Sequence, residues 1–171
     1  ETGVCIMEVV PQLDAGDVYL EKRLPILDTD TSASLFGTLA QLGGDALVES
    51  LSGILDGTLN KTPQEESQVT YANMLSKEEG CIHWHGNAAE WWRKSRAFTP
   101  WPGLYTVVDG KPFKLHVARP VDPKQRHGAP GQPGEVLALD DSIVMQMGEG
   151  TLSFSQGQPS GKKPLNGAEL R

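Results

Sequence analysis

Three short stretches carry the side chains whose types and spacing could do chemistry. QLDAGD (12–17) sets two carboxylates, Asp14 and Asp17, in a turn that contains Gly16. A carboxylate in such a place can hold a cationic partner or an ordered water and pass a proton. Taken alone, however, acids beside a glycine are what a turn asks for. CIHWH (81–85) alternates Cys81, His83 and His85. A strand would put all three on one face. No fourth ligand stands at a suitable spacing, and a structural zinc site wants four, so no metal is expected. The third set is basic: Arg93, Lys94 and Arg96 after Trp91 and Trp92, and Lys162 and Lys163 after Gly161. Such groups neutralise phosphates when they line one surface; singly, each is an ordinary solvated side chain. GEG (148–150) reads as a hairpin turn, since no helix follows it to make a phosphate loop.

The elements that must position these groups follow from periodicity. Residues 3–10 read as a mostly apolar strand, buried on both faces, and 17–27 as a second strand with a polar middle. Candidate N-caps at 28–32 precede Leu35, Leu39, Leu42, Ala46, Leu51, Ile54 and Leu55 at helical spacing. Gly43-Gly44 is expected to divide this stretch into two helices, with Gly57 as the stop signal. Residues 60–68, polar and carrying Pro63, read as linker. A further helix is expected from Asn87 or Ala88 to Phe98, ending before Pro100. Beyond Gly103 come short strands. Residues 104–108, a turn at Asp109-Gly110 and 111–121 form a hairpin. A Pro/Gly loop covers 123–133, and 135–139, 142–147 and 151–155 complete a small antiparallel sheet. Of the tryptophans, Trp84, Trp91 and Trp101 read as core and Trp92 as the exposed one. The strand at 4–10 wants neighbours on both edges, and the sequence offers none nearby, so a further sheet-forming segment is expected.

Composition sets the class. The 171 residues have an ordinary apolar fraction, 38%, and a net charge of −7, with no run that would span a membrane and no leader pattern. Two isolated cysteines, Cys5 and Cys81, are not a disulfide framework and fit a reducing, cytoplasmic setting. The charge is unevenly spread. Up to Glu79 there are four bases against fourteen acids, a net of −10; from Gly80 onward there are eleven bases against eight acids, a net of +3, and all four histidines. That asymmetry suggests that the second half meets an anionic partner.

Four stretches in order resemble one family along essentially the whole chain. ETGVCIMEVVPQLDAGDV is similar to the end of the catalytic domain of methionyl-tRNA formyltransferases; TYANMLSKEEGCIHW resembles the linker and the entry to their second domain; RAFTPWPG and QPSGKKPL resemble two signatures of their C-terminal half. The resemblance implies an α+β chain: residues 1–59 the end of an α/β, Rossmann-like formyltransferase domain, 60–75 a linker, and 76–171 an oligonucleotide-binding-like β-barrel that contacts tRNA. It implies transfer of a formyl group from 10-formyltetrahydrofolate to the α-amine of methionine on initiator tRNA, in a cytoplasmic monomer. Asp14 would be the family's catalytic aspartate, and Gly16 would let the turn backbone pass close to folate. Lys77, Arg93, Arg96, Lys162 and Lys163 would face tRNA. The family's catalytic Asn and His would lie upstream of Glu1, and His83, His85, His116 and His127 lack the matching context. The 171 residues alone are therefore expected to be inactive. Two other readings stand beside this one: a non-catalytic RNA-binding fragment, and a related folate-dependent hydrolase or sugar formyltransferase. RAFTPWPG and the basic second half weigh against the latter.

Overall fold

The computed structural model describes residues 1–122 and 131–171; most of the Pro/Gly loop at 123–133, with His127, lies outside them. The chain is a mixed α and β protein divided into two compact units, Glu1–Asn73 and Met74–Arg171.

In the first unit, β1 (Thr2–Met7) and β2 (Val18–Leu24) pair antiparallel, and α1 (Ser32–Leu55) packs on them. β1 is shorter than expected and alternates between half-buried and exposed residues, because it has one neighbour, β2, and helix on one face. Thr31 caps α1 by a reciprocal box: its hydroxyl accepts from the Ser34 amide, and the Ser34 hydroxyl accepts from the Thr31 amide. The helix runs unbroken through Gly43-Gly44, against expectation. Two interior glycines cost about 1 kcal/mol each relative to alanine, and a helix of 24 residues anchored on a sheet tolerates that. At Gly43 an added Cβ would meet Val4 Cγ1 at 3.8 Å, an ordinary packing contact, so the helix face there does not require glycine.

In the second unit five antiparallel strands form one sheet, in the order β3-β4-β7-β6-β5. They are β3 (Leu104–Val108), β4 (Lys111–Pro120), β5 (Val136–Leu139), β6 (Ile143–Gln146) and β7 (Thr151–Pro159). Asp109 and Gly110 both have positive φ, 50° and 73°, which is the backbone that a two-residue hairpin turn requires. Helix α2 (Ala88–Ala97) starts at Asn87, whose side chain accepts from the amides of Ala89 and Glu90, and packs against β4 and β7. Trp91, Phe98, Leu104, Leu115, Ile143, Met147, Leu152 and Phe154 are buried together there.

Candidate functional site

The turn between β1 and β2 is built by four ties that converge on residues 8–18. The Glu8 amide donates to the Asp17 carbonyl at 2.9 Å and closes the hairpin. Gly16 is buried, and a Cβ there would lie 1.9 Å from the Glu8 carbonyl oxygen, so only glycine fits that crossing. Lys61, in the stretch that follows α1, bridges the carboxylates of Glu8, at 2.5 Å, and Asp17, at 3.5 Å. Beside it Thr62 and Val18 exchange both backbone hydrogen bonds, at 2.8 and 2.9 Å. Residues 61–64, expected as free linker, thus lie along the start of β2. Gln64 supplies the last tie: its amide nitrogen donates to the carbonyls of Asp14 and Gly16, both at 2.8 Å.

Asp14 sits within this frame at φ 54°, the left-handed region. Aspartate visits it more readily than most residues, yet the conformation persists only where the surroundings enforce it. Asp14 is exposed, while Asp17, half-buried, is occupied by Lys61. The two acids are therefore different in kind, as their placement in the sequence suggests: Asp17 holds the turn and Asp14 is presented by it. The Lys61 ammonium is held above its ordinary value, chiefly by its hydrogen bond to Glu8 and then by attraction to Glu8 and Asp17, against partial loss of hydration. Cys5, on β1, is shifted upward by burial and by Glu21, with Arg23 opposing. It borders an open hollow of about 520 Å³ between β2 and residues 62–69.

The basic residues lie in the second unit and are not equivalent. Lys77 is exposed and opens a single 3-10 turn, Glu78–Gly80, whose two acids stand beside it. Lys162 and Lys163 are exposed on a turn after β7, in which Gly161 has φ 73°. Its backbone is fixed twice, by the Lys162 amide donating to the Pro159 carbonyl at 3.0 Å and by Gln158 donating to the Lys162 carbonyl at 2.9 Å. Arg93 is exposed on α2, whereas the Arg96 guanidinium lies over the Trp92 ring at 4.7 Å and is half-buried. Lys94 pairs with Glu90 at 2.9 Å and stands over Trp91 at 4.5 Å.

The tryptophans correct the sequence-based expectation. Trp101 is 55% exposed, and Trp92 is the one packed partly against the core. Trp101 sits outside α2 in the turn that follows it, so helical spacing says nothing about its burial. CIHWH is likewise not a strand: Cys81 makes one bridge to Tyr105, and His83 begins a turn closed by the Gly86 amide. The alternation of the three side chains thus carries no common face.

Two basic-face residues escaped sequence reasoning. Lys114 and His116 project from the outer face of β4, between the buried Leu115 and its neighbours, and line a cleft of about 310 Å³ with Thr99, Pro100 and Pro102. His116 Nε2 meets Gln158 Oε1 at 3.0 Å, which joins this strip to the Lys162 turn. Alternation along β4 was the available signal: Lys114 and His116 flank Leu115 in KLH.

Comparison with known proteins gives one consistent result. Residues 74–171 match the family model for the formyl transferase C-terminal domain. A methionyl-tRNA formyltransferase of Pseudoalteromonas translucida is 40% identical over 166 residues, 96% of this chain and 51% of the relative. One of Lactobacillus gasseri is 41% identical over 167 residues, 97% of this chain and 52% of the relative. The chain spans about half the length of these curated relatives. Among solved structures, HypX from Aquifex aeolicus in complex with tetrahydrofolic acid superposes with a TM-score of 0.69 at 25% identity, over 98% of this chain and 29% of that one. An N-formyltransferase from Helicobacter canadensis in complex with folinic acid and dTDP-3-aminofucose, 14% identical with a TM-score of 0.68 over 91% of this chain and 55% of that one, shares the fold.

Proposed function

The chain belongs to the formyl transferase C-terminal domain family, and from that membership we propose that it is part of an enzyme that formylates methionine on initiator tRNA, with 10-formyltetrahydrofolate as donor. The observation that carries the reading is identity of about 40% to methionyl-tRNA formyltransferases running through both units, from the Asp14 turn to the Lys162 turn.

In the reaction the methionyl amine attacks the formyl carbon, a tetrahedral oxyanion forms, and the bond to N10 of the folate breaks as that nitrogen takes up a proton. The Asp14 carboxylate, exposed at the tip of a turn held from four directions, is suited to orient a protonated group or water beside the amine. Gly16 lets the chain pass close to Glu8 and so shapes the turn whose backbone would come close to folate. The exposed lysines Lys77, Lys162 and Lys163, with Arg93, supply phosphate contacts for the tRNA. Arg96 belongs to this set less directly, since its cation already rests on Trp92. Residues 1–73 contain no histidine, so the imidazole that would complete proton transfer beside Asp14 is not supplied by this unit. The 171 residues alone are accordingly proposed to turn over little or no substrate.

The test is formyl transfer from 10-formyltetrahydrofolate to methionylated initiator tRNA by the natural full-length protein and by residues 1–171. Transfer by the former, with binding of tRNA but no turnover by the latter, is the expected result. Transfer to water or to a sugar amine, with no response to tRNA, would overturn the choice of acceptor.

A further inference from the structure

We infer that Gln64 is a positioning residue for the reaction: from 50 residues away in sequence it holds the Asp14 turn in the conformation that presents the carboxylate. The inference rests on the function proposed above, and it concerns how the turn is kept in shape.

The turn has a problem that its own residues do not solve. Asp14 lies at φ 54°, and a non-glycine residue stays there only when neighbouring contacts over-determine it. The Glu8–Asp17 bond closes the base of the loop, and Gly16 lets the strands cross. Neither fixes the carbonyls on either side of Ala15. Gln64 does so with a single planar group: one amide nitrogen carries two hydrogens, and the two acceptors are the Asp14 and Gly16 carbonyls, each at 2.8 Å. A rotation of the Asp14 peptide would break the first of these bonds, and one of the Gly16 peptide the second. The amide is itself fixed, because Thr62 is paired to Val18 and Lys61 to Glu8 and Asp17 immediately before it, and Pro63 restricts the backbone between. The pairing is specific to a donor. Glutamate at this position would turn an oxygen toward each carbonyl.

Three substitutions in the natural full-length protein separate a donor role from mere shape: Gln64→Ala, the isosteric Gln64→Glu, and Gln64→Lys, whose ammonium can donate to both carbonyls. Each is measured for kcat, for KM toward 10-formyltetrahydrofolate and methionylated tRNA, for thermal midpoint, and for hydrogen exchange of the Glu8 amide. Expected are a kcat lowered roughly tenfold in the alanine and glutamate proteins, as two neutral hydrogen bonds would give, a KM for tRNA within about twofold of the unaltered protein, and faster exchange at Glu8 with little change in midpoint. The lysine protein recovers most of the rate. An unaltered kcat in the alanine or glutamate protein would overturn the inference. So would a loss of rate that follows a loss of midpoint and is not recovered by lysine. If the unaltered protein transfers no formyl group to tRNA, the proposed function fails instead; the exchange measurement then still decides the clamp, and unchanged exchange in Gln64→Ala removes it.

Discussion

The two units of this chain solve the problem of holding a site in opposite ways. Among the described residues, the second unit contains twelve of the thirteen buried hydrophobic side chains, and the first contains one, Ala46. Phe154, Met147 and Leu152 are sealed from solvent, whereas Phe36, Val48 and Leu55 on α1 are more than three-quarters exposed. The second unit therefore has a core that fixes its surface by packing; Lys77, Arg93, Lys162 and Lys163 are exposed on that surface, while Lys94 and Arg96 rest on tryptophan rings. The first unit has little core, and its one exacting feature, the Asp14 turn, is fixed by polar ties: a backbone bond, a lysine bridging two acids, and the Gln64 amide. A site can be made precise without burial when several directional contacts meet on a short segment.

That contrast predicts its own breaking points. The largest effect is expected from separating the units. Residues 74–171 should melt as one cooperative transition and residues 1–73 should not, because two strands and a helix bury too little surface; calorimetry of both pieces decides. Within the second unit, Phe154→Ala should cost about 3–5 kcal/mol in urea unfolding, whereas Phe36→Ala on α1 should cost under about 0.5 kcal/mol. Comparable losses at the two positions would end the distinction.

Gly16→Ala comes next. The added methyl meets the Glu8 carbonyl, so the turn must reshape at a cost of about 1–3 kcal/mol; under the proposed function, formyl transfer should fall while tRNA affinity is retained. Charge removal is milder. Under the proposed function, Lys162→Ala and Lys163→Ala should each reduce the salt slope of tRNA binding by about one and leave the melting temperature unchanged. Arg96→Ala should lower the melting temperature, loosening α2 by exposing Trp92, and change the salt slope less than either lysine substitution does.

The smallest effect is in pH. The Lys61 value is raised, so its contribution to the turn is complete below the ordinary lysine range and is lost as pH climbs through the raised value. Glu90, held low by its hydrogen bond from Lys94 and by that charge, contributes above the ordinary carboxylate range and loses its contribution as pH falls through the lowered value. Both groups are exposed and screened. The protection of the Glu8 amide, measured relative to its intrinsic exchange at each pH, should thus fall in strong alkali, and α2 should fray slightly in acid.

How much of this was readable beforehand depends on the distance over which each feature is determined. Asn87 and Pro100 bracket α2, and Asp109-Gly110 makes the β3–β4 turn; in both cases the deciding residues are adjacent, and the structure agrees. The mixed fold and the family were also readable, from stretches such as RAFTPWPG and QPSGKKPL. Gly43-Gly44 misled because a local break signal competes with a sheet that the helix rests on. Trp92 and Trp101 exchanged places because burial depends on the surface a side chain meets, and spacing does not report that.

By itself the sequence determined the caps, the tight turns and the charge difference between the two halves. Each of these is settled by backbone geometry or by composition within a few residues. Only the tertiary structure decided that Lys61 and Gln64, polar residues in a stretch that looks like linker, close on the Asp14 turn. Hydrogen bonds between groups fifty residues apart form only when the intervening helix brings their chains together, and no local pattern encodes that encounter.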